Sequence, residues 1–259
     1  MSDNQPGRFA GKSVVVTGSS SGIGLTVAEH FGAAGADVVV NSRSAARAAK
    51  AAGQVGKTGA KAVAVAADLR TAAGAQQLID GAVTAFGGVD ILVNNAGISM
   101  IAPSEELDPA DWERAIATNL SGPFFASHAV HPAMKARGGG VIVNIGSVAA
   151  HEGLPQRAAY CAAKHGLNGL TKVLAIDWAR DNIRVLQIDP AFIKTPLDEE
   201  DQVTGGYDDA SIERRTPMSR FGGLDEVAAM TLTAAGPESS YMTGSCLAVD
   251  GGWMAYGYL

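Results

Sequence analysis

This 259-residue sequence is poor in cysteine, in net positive charge and in long apolar runs. Because no apolar run reaches about 18 residues, the sequence predicts no membrane-spanning helix, and the polar stretch from Met1 to Ala10 lacks the apolar segment of a signal peptide. Two cysteines, Cys161 and Cys246, are too few for a disulfide framework and favour a cytoplasmic protein. A formal net charge of −6 gives no general attraction to nucleic acid, and no cysteine or histidine spacing indicates a metal site.

Hydrophobic residues make up 47 % of the sequence and charged residues 18 %, which excludes a disordered chain and allows a large core. Apolar runs alternate with alanine-rich helical segments, the pattern of parallel strands that helices cover on both faces. It predicts an α/β fold with a doubly wound, seven-stranded parallel sheet in a single domain, residues 1–259. The predicted strands are Ser13–Thr17, Asp37–Asn41, Ala62–Ala66, Ile91–Asn94, Val141–Ile145, Arg184–Ile188 and Cys246–Val249; the predicted helices are Gly24–Ala34, Ala45–Lys57, Ala73–Phe86, Asp111–Met134, Ala158–Ala179 and Asp225–Ala235.

The stretch from Lys194 to Phe221 breaks this alternation, because it shows neither a clean strand nor a long helical pattern. It contains glycines, a proline and several charges. A long irregular segment in a compact domain is usually a lid or a mobile loop. We therefore expect residues 194–221 to form a substrate lid, with a solvated insertion as the alternative.

A glycine-rich turn, T-G-S-S-S-G-I-G at residues 17–24, joins the first predicted strand to the first helix. Gly18 permits the tight turn, Gly22 lets backbone amides approach a pyrophosphate, and Gly24 lets helix and strand pack closely. The free N–H groups and the dipole at the start of a helix favour an anion. Since a strand precedes the turn and a helix follows it, the motif predicts a dinucleotide site rather than an ordinary turn.

Tyr160 and Lys164 lie four residues apart in a predicted helix, so the phenol and the ammonium share one helix face. A nearby positive charge is expected to lower the pKa of the tyrosine, as a general acid or base near neutral pH requires. Ser147 follows a predicted strand, where open sheets bind ligands, and can donate to a carbonyl oxygen. Asn119 is a polar residue in a long apolar helical stretch. Taken singly, the tyrosine and lysine could be a surface pair, and Asn119 a helix kink or a buried amide.

Together these features resemble the short-chain dehydrogenase/reductase (SDR) family over nearly the whole chain. The turn at residues 17–24 is similar to the family's T-G-x-x-x-G-I-G motif, and N-N-A-G at residues 94–97 to the motif after its fourth strand. D-L at residues 68–69 follows the third strand, where the family contacts adenine, and D-P-A-F-I-K-T at residues 189–195 resembles the family's P-G-x-I/V-x-T segment beside the nicotinamide. The family's order and spacing also hold for Asn119, Ser147, Tyr160 and Lys164.

The resemblance implies a Rossmann-type NAD(P)-binding fold and hydride transfer between a nicotinamide cofactor and a ketone or secondary alcohol. It implies that Tyr160 exchanges a proton with the substrate oxygen and that Ser147 holds this oxygen. It implies that Lys164 binds the nicotinamide ribose and lowers the tyrosine pKa, while Asn119 anchors a water in a proton relay. The cofactor-binding residues it implies are Gly18, Ser20, Ser21, Gly22, Ile23, Gly24, Arg43, Asp68, Leu69, Asn95, Ala96, Gly97, Tyr160, Lys164, Pro190, Ile193 and Thr195.

The residues after the second strand favour NADP, with NAD as the alternative. The family's NAD-specifying acidic position is Ser42 here, and Arg43 holds the next position, which is often basic in NADP enzymes. A guanidinium can pair bidentately with a phosphate. The family's second basic position is Ser21 here, and Arg43 could also be an ordinary exposed cation.

Two residues depart from the family's pattern beside the nicotinamide. Ala191 stands for the usual glycine after Pro190, and Asp189 stands for the common asparagine before it. Because alanine lacks glycine's freedom at positive φ, the loop carrying Ile193 is expected to sit slightly differently. This bears on the substrate class and not on cofactor binding.

The substrate pocket is expected between the loop after Ser147, residues 98–102 and the lid. The candidate side chains of this pocket are both polar and apolar, which suits a 3-oxoacyl thioester or a sugar-like polyol. His151 could be either a substrate contact or an exposed imidazole. The first expectation is a reductase similar to the 3-oxoacyl-acyl-carrier-protein reductases; the alternatives are a sugar or polyol dehydrogenase and, remotely, a nucleotide-sensing regulator without turnover. The candidate pocket residues are His151, Leu154, Gln156, Arg157, Phe192 and Leu197.

The expected partners are a small carbonyl or alcohol substrate and further copies of the chain, with neither nucleic acid nor membrane. The predicted helices Asp111–Met134 and Ala158–Ala179 resemble those of the family's four-helix dimer interface. The C-terminal stretch Gly251–Leu259 is rich in aromatic residues, which suggests a contact surface. We expect a homotetramer in which this tail reaches a neighbour.

Overall fold

The computed structural model describes residues 7–257, apart from the side chains of residues 196, 197, 199 and 200. Within these residues, the strands are β1 Ser13–Val16, β2 Asp37–Ser42, β3 Ala62–Ala66, β4 Ile91–Asn94, β5 Gly140–Ile145, β6 Ile183–Pro190 and β7 Cys246–Val249. These seven parallel strands form one sheet in the order β3-β2-β1-β4-β5-β6-β7. The chain builds outward from β1 to β3, then returns and builds outward from β4 to β7, so the order reverses between β1 and β4. This confirms the predicted fold.

The α-helices of the described chain are α1 Gly22–Ala33, α2 Ala45–Gly56, α3 Ala72–Phe86, α4 Pro109–Ile116, α5 Gly122–Ala136, α6 Ala158–Trp178, α7 Pro196–Gly205, α8 Asp209–Arg215 and α9 Leu224–Ala235. They cover both faces of the sheet. Within this part of the chain, no helix has both the length and the apolar character that a membrane crossing needs.

The hydrophobic core lies in two layers, one on each side of the sheet. Val14 and Val16 of β1 pack into the layer that contains Phe31, whereas Val15 between them packs into the layer that contains Leu78. Successive side chains of a strand point to opposite faces, so a strand with apolar residues at every position must be covered on both. All of these side chains are fully buried, and each contributes about 1.5–3 kcal/mol relative to exposure.

The single helix predicted over residues 111–134 is instead two helices joined by a π-helical turn, Ala117–Ser121. The residue four positions after Asn119 is Pro123, which has no N–H to donate to the Asn119 carbonyl. The α-helical ladder is therefore interrupted at Asn119, and the backbone widens into a π turn. The proline was a visible signal for this interruption.

The stretch over residues 194–221 contains two helices, contrary to the expectation of an irregular loop. Thr195 caps α7 by accepting a hydrogen bond from the N–H of Asp198 (3.1 Å), and Pro196 occupies the first turn, a standard helix start. Asp208 and Ser211 form a reciprocal capping box at the start of α8. Short charged helices have little apolar periodicity, so the N-capping residues were the sequence evidence for these two helices.

Candidate active site

A cleft of about 770 Å³ opens at the carboxyl ends of the strands, near the reversal between β1 and β4. Open α/β sheets bind their ligands at such a reversal, and the volume is in the range of ligand pockets. Every catalytic residue and every cofactor-binding residue that the sequence predicts lines this cleft. The sheet therefore brings together groups from the turn after β1, the loop after β5 and the start of α6.

The glycine-rich turn between β1 and α1 packs tightly against the loop after β4. The Thr17 hydroxyl accepts hydrogen bonds from the N–H groups of Asn95 (2.9 Å) and Ala96 (3.0 Å). At Gly18 the φ angle is +60°, and a Cβ there would lie 2.7 Å from the Ala96 Cα. A Cβ on Gly24 would overlap the Asn95 amide. The turn can approach β4 this closely only because these two residues are glycines.

The first turn of α1 offers N–H groups to the cleft. Ser21 occupies the N-cap position, but its side chain makes no capping hydrogen bond. Ser44 and Thr71, by contrast, cap α2 and α3 through their side chains. Uncapped N–H groups together with the helix dipole favour an anion at this point. The cleft residues here are Ser20, Ser21, Gly22 and Ile23.

The end of the cleft beside β2 and β3 is lined by arginines. Arg70 is held by Asp68, with Nε–Oδ1 at 3.0 Å and Nη2–Oδ2 at 2.6 Å, and this pairing lowers the pKa of the Asp68 carboxyl. Arg43 and Arg47 are exposed, and among the described side chains no carboxylate lies within ion-pair distance of either. Of these three arginines, Arg43 was predicted from the sequence, whereas Arg47 and Arg70 were not. The signal for Arg47 was its place in the first turn of the helix that follows Arg43.

Tyr160 and Lys164 lie near the start of α6, close to the end of β5. The Lys164 ammonium donates a 2.7 Å hydrogen bond to the carbonyl oxygen of Ile145, and its Nζ lies 5.6 Å from the centroid of the Tyr160 ring. The side chains of Ser147 and Tyr160 share a hydrogen bond. The Ser147 hydroxyl also accepts from the N–H of Ala149 (3.1 Å), which fixes its orientation. A phenol, a hydroxyl and an ammonium therefore gather at one point of the cleft.

The pKa of Tyr160 differs in direction from the sequence expectation. Burial raises the pKa of Tyr160 to about 12, because a desolvated phenolate is unfavourable, and the hydrogen bond with Ser147 acts in the opposite direction. Burial also lowers the pKa of Lys164 to about 8, against the effect of the Asp189 charge. In the protein alone, burial is the largest influence on the phenol, so the expectation of a lowered tyrosine pKa is wrong for this state.

Asn119 lies in the π turn between α4 and α5 and is almost fully buried. Its Oδ1 accepts from the N–H of Ile98, and its Nδ2 donates to the carbonyl oxygen of Ile98, both at 3.0 Å. The side chain thus anchors the loop after β4 to the helix. The predicted water relay through Asn119 stays a prediction.

The other end of the cleft, beyond Tyr160, is lined by charged and hydroxyl groups. Arg157 faces Asp201 at 3.9 Å and lies 5.3 Å from the centroid of the Tyr207 ring. The Tyr207 hydroxyl donates to Asp198 at 3.2 Å. Burial, with the neighbouring Asp198 carboxylate, raises the pKa of Tyr207, so it stays a neutral donor. Arg157 was predicted here from the sequence. Asp198, Asp201 and Tyr207 were not, because they lie on or between α7 and α8, which the apolar pattern did not predict.

The short chain dehydrogenase family model matches residues 12–204, which is most of the chain. This chain belongs to the short-chain dehydrogenase family. The match confirms the family that the motifs indicated.

Curated relatives and solved structures agree with this assignment. The short-chain dehydrogenase is 40 % identical over 250 residues to 3beta-hydroxysteroid dehydrogenase 1 of Eggerthella lenta, covering 95 % of each chain. It is 37 % identical over 246 residues to D-threitol dehydrogenase of Mycolicibacterium smegmatis, covering 95 % of this chain and 94 % of the relative. The crystal structure of a gluconate 5-dehydrogenase from Burkholderia cenocepacia, in complex with NADP and tartrate, superposes with a TM-score of 0.91 at 35 % identity, covering 96 % of this chain and 98 % of that one.

These findings identify the chain as an NAD(P)-dependent oxidoreductase. The alternative of a regulator without turnover is therefore set aside. The names of these relatives describe dehydrogenases of hydroxyl compounds of several sizes. None of these names is that of a 3-oxoacyl reductase.

The residues of the cleft fit a nicotinamide dinucleotide. The uncapped start of α1 suits a pyrophosphate, and the close glycine turn leaves this helix end accessible from the cleft. Arginines line the end where an adenosine phosphate would lie, and the buried Lys164 lies at the opposite part of the same cleft. Pro190, Ile193 and Thr195 also line this cleft.

Two of the predicted substrate residues do not line the cleft. His151 turns away to Asp189, with Nε2 2.7 Å from Oδ2. Gln156 is exposed at a φ of +61°, and its carbonyl accepts a hydrogen bond from Ala102. Leu154 and Phe192 do line it, and the side chain of Leu197 lies outside the described residues.

The aromatic tail of this short-chain dehydrogenase packs on its own chain as far as it is described. Trp253 is 8 % exposed, and its ring centroid lies 4.8 Å from that of Phe192. The Arg215 guanidinium stacks on Trp253 at 4.6 Å and on Tyr256 at 5.2 Å. The expectation that this tail also reaches a neighbour stays a prediction; the last two residues, 258 and 259, lie outside the described chain.

Proposed function

We propose that this short-chain dehydrogenase is an NADP-preferring dehydrogenase of small polyhydroxylated alcohols, interconverting a secondary alcohol and a ketone. The polar wall beside Tyr160, formed by Arg157, Asp198, Asp201 and Tyr207, carries the proposal. These side chains already interact with one another, since Tyr207 donates to Asp198 and Arg157 faces Asp201 at 3.9 Å. A ligand with hydroxyl groups adds hydrogen bonds to this wall, whereas an apolar ligand covers its polar groups without adding any. The hydroxyl groups of a polyol offer both donors and acceptors, so they satisfy such a wall. Each carboxylate of the wall faces a cation, Asp201 with Arg157 at 3.9 Å and Asp198 with Lys194 at 3.6 Å, so a neutral substrate suits the wall.

The proposed roles follow from where each side chain lies. Tyr160 exchanges the proton of the reacting hydroxyl, and Ser147, hydrogen-bonded to it, holds the same oxygen. Lys164 is buried beside the phenol and supplies the positive charge that favours phenolate. The cofactor accepts or donates the hydride, while the protein supplies orientation and field.

The NADP preference is supported by the free charges of Arg43 and Arg47 at the β2 end of the cleft. The position that would carry a repelling carboxylate is Ser42. NADP would be held by these arginines, by the N–H groups at the start of α1 and by Lys164, with NAD as the alternative.

A second candidate is a 3-oxoacyl-type carbonyl reductase. It is favoured by the apolar side chains on the same cleft, Leu154 and Phe192, which suit an acyl chain. An acyl chain, however, makes no hydrogen bonds with the polar wall.

A substrate panel tests the choice. We expect the highest kcat/KM in oxidation with four- to six-carbon polyols, and lower values for 3-oxoacyl thioesters and cyclic or steroidal alcohols, measured with both NADP and NAD. Tyr160→Phe is expected to bind NADPH with unchanged affinity and to lose at least about a thousandfold in kcat. A thioester preferred over every polyol would refute the substrate class, and near-normal turnover of Tyr160→Phe would refute the catalytic assignment.

The quaternary proposal is a homotetramer in the cytoplasm. Apolar side chains are exposed on the helices that the family uses for association: Phe124 (41 %) on α5, and Val173 (47 %) and Ile176 (75 %) on α6. Such side chains on adjoining helices favour burial against another copy. Sedimentation of the native enzyme is expected to give the mass of four chains, and a monomer would refute this proposal.

A further inference from the structure

A row of buried polar side chains crosses the sheet beneath the active site. Asn94 of β4 donates to Asn144 of β5 (2.9 Å), and Asn144 donates to Thr171 of α6 (2.9 Å). The Thr171 hydroxyl lies 3.0 Å from Oε1 of Gln187 on β6. All four side chains are at most 2 % exposed. Buried polar groups persist where they are hydrogen-bonded in a defined arrangement, so this row fixes the register between α6 and the strands that carry the site.

The row ends on Asp189, which is fully buried. Its Oδ1 accepts from Nε2 of Gln187 (2.7 Å) and from the backbone N–H of Ser147 (3.0 Å). Its Oδ2 pairs with Nε2 of His151 (2.7 Å). A buried carboxylate is costly unless such partners satisfy it, and here three donors converge on one group.

Gly146 supplies the room for this arrangement, because a Cβ at that position would overlap the Asp189 carboxylate. His151 belongs to the segment that follows Ser147, and Asp189 belongs to β6. The Asp189 carboxylate therefore links β6 to two points of the chain that follows β5, the backbone N–H of Ser147 and the side chain of His151.

We propose that Asp189, held by His151, is a positioning residue that fixes the backbone of Ser147 and thereby the hydroxyl that faces Tyr160. The inference rests on the proposed catalytic roles of these two hydroxyls. His151, expected from the sequence as a substrate contact, acts here by orienting Asp189 and not by touching the substrate.

The charge of Asp189 adds a second effect, on Lys164. The ionisable groups that face the Lys164 ammonium are Tyr160 on α6 and Asp189 on β6, and the Ile145 carbonyl accepts from it on β5. Asp189 opposes the burial that lowers the pKa of Lys164 to about 8. Removing the negative charge of Asp189 is therefore expected to lower the pKa of Lys164 further.

Two variants separate shape from charge. Asp189→Asn keeps the size and an oxygen that accepts from Ser147, but loses the charge; Asp189→Ala loses both. The control is Asp181→Asn, which breaks a similar carboxylate–histidine pair, His131–Asp181 at 2.8 Å, beyond the far end of α6. That helix has 21 residues, about 30 Å at 1.5 Å per residue.

With the best substrate of the panel, Asp189→Ala is expected to lose about tenfold to a hundredfold in kcat, since small misplacements of a catalytic group have effects of this size. Its KM for NADPH should stay within about twofold, and Asp189→Asn should recover most of the loss. A kcat of folded Asp189→Ala equal to that of Asp181→Asn overturns the proposal.

The titration of Lys164 gives a readout that does not depend on turnover. Protein labelled with ¹³C at lysine Cε is titrated by NMR, and the Lys164 signal is assigned by its absence in Lys164→Met. We expect a pKa near 8 in the wild type and a lower one in Asp189→Asn. An unchanged titration in folded Asp189→Asn overturns the charge effect, even if Asp189→Ala fails to fold. Full activity of Tyr160→Phe with a shifted Lys164 titration would sink the proposed catalytic roles and leave the Asp189–Lys164 coupling standing.

Discussion

Replacing Arg43 by serine tests how this enzyme selects its cofactor. Arg43 follows β2, lines the cleft and is exposed, and among the described side chains it has no carboxylate within ion-pair distance. Arg47 lies in the first turn of α2 on the same part of the cleft. Arg70 is already paired with Asp68, so its charge is largely compensated. The guanidinium of Arg43 is thus the group best placed to gain a phosphate partner.

The expected magnitude follows from the exposure of Arg43. A hydrogen bond to a charged group contributes about 1.5–3 kcal/mol, and solvent screening at an exposed site favours the lower half of this range. A loss of about 1.5–2 kcal/mol corresponds to a decrease of about ten- to thirtyfold in kcat/KM. We expect this decrease with NADPH and a change of less than about twofold with NADH, which has no 2′-phosphate. Replacing Arg47 as well should deepen the loss with NADPH alone.

The assay is initial-rate kinetics with each cofactor at a saturating concentration of the same substrate, at low and at physiological ionic strength. Screening should weaken NADPH binding by the wild type more than by Arg43→Ser. Arg180→Ser, at an exposed site outside the cleft, is the control and should behave as wild type with both cofactors. An equal loss with NADPH and NADH, or none with NADPH, would refute the assignment of Arg43 to the phosphate.

Two further predictions concern stability. Gly18→Ala places a Cβ 2.7 Å from the Ala96 Cα at a φ of +60°, so it should lower the free energy of unfolding by about 1–3 kcal/mol and weaken NADPH binding. The control is Gly53→Ala in α2, where a Cβ meets nothing within 4 Å, and it should be neutral or stabilising. Equal melting temperatures for the two variants would contradict the close packing of Gly18 against Ala96. Glu226 is paired with Arg220, which lowers the pKa of its carboxyl from 4.5 to about 2, so its stabilisation is present above pH 4.5 and is lost as the pH falls towards 2. Both side chains are 46 % exposed, so we expect only about 1 kcal/mol between wild type and Glu226→Gln in urea unfolding at pH 6, with the difference vanishing near pH 2; a constant difference would contradict this linkage.

The sequence by itself determined the sheet and predicted the residues that line the cleft, among them the proposed cofactor-binding and catalytic residues. Strands covered on both faces must be apolar at nearly every position, so a run such as residues 13–16 can be recognised as a strand from the sequence alone. The glycine turn and the Tyr160–Lys164 spacing are local patterns, since each acts through neighbours on one turn or one helix face. The two helices after Thr195 also have local signals in the sequence, the Thr195-Pro196 start of α7 and the Asp208 cap of α8. They were not predicted because they lack apolar periodicity.

The tertiary structure decided which distant groups meet, and with them the electrostatics of the site. His151 and Asp189 are 38 residues apart, and this spacing does not predict a contact. The pairing of β5 with β6 brings the two side chains together. The polar wall, on which the proposal of a polyol substrate rests, likewise forms only where α7 and the Tyr207 segment meet the start of α6. Burial reversed the predicted direction of the Tyr160 pKa, since desolvation depends on everything packed around a group and not on its neighbours in sequence.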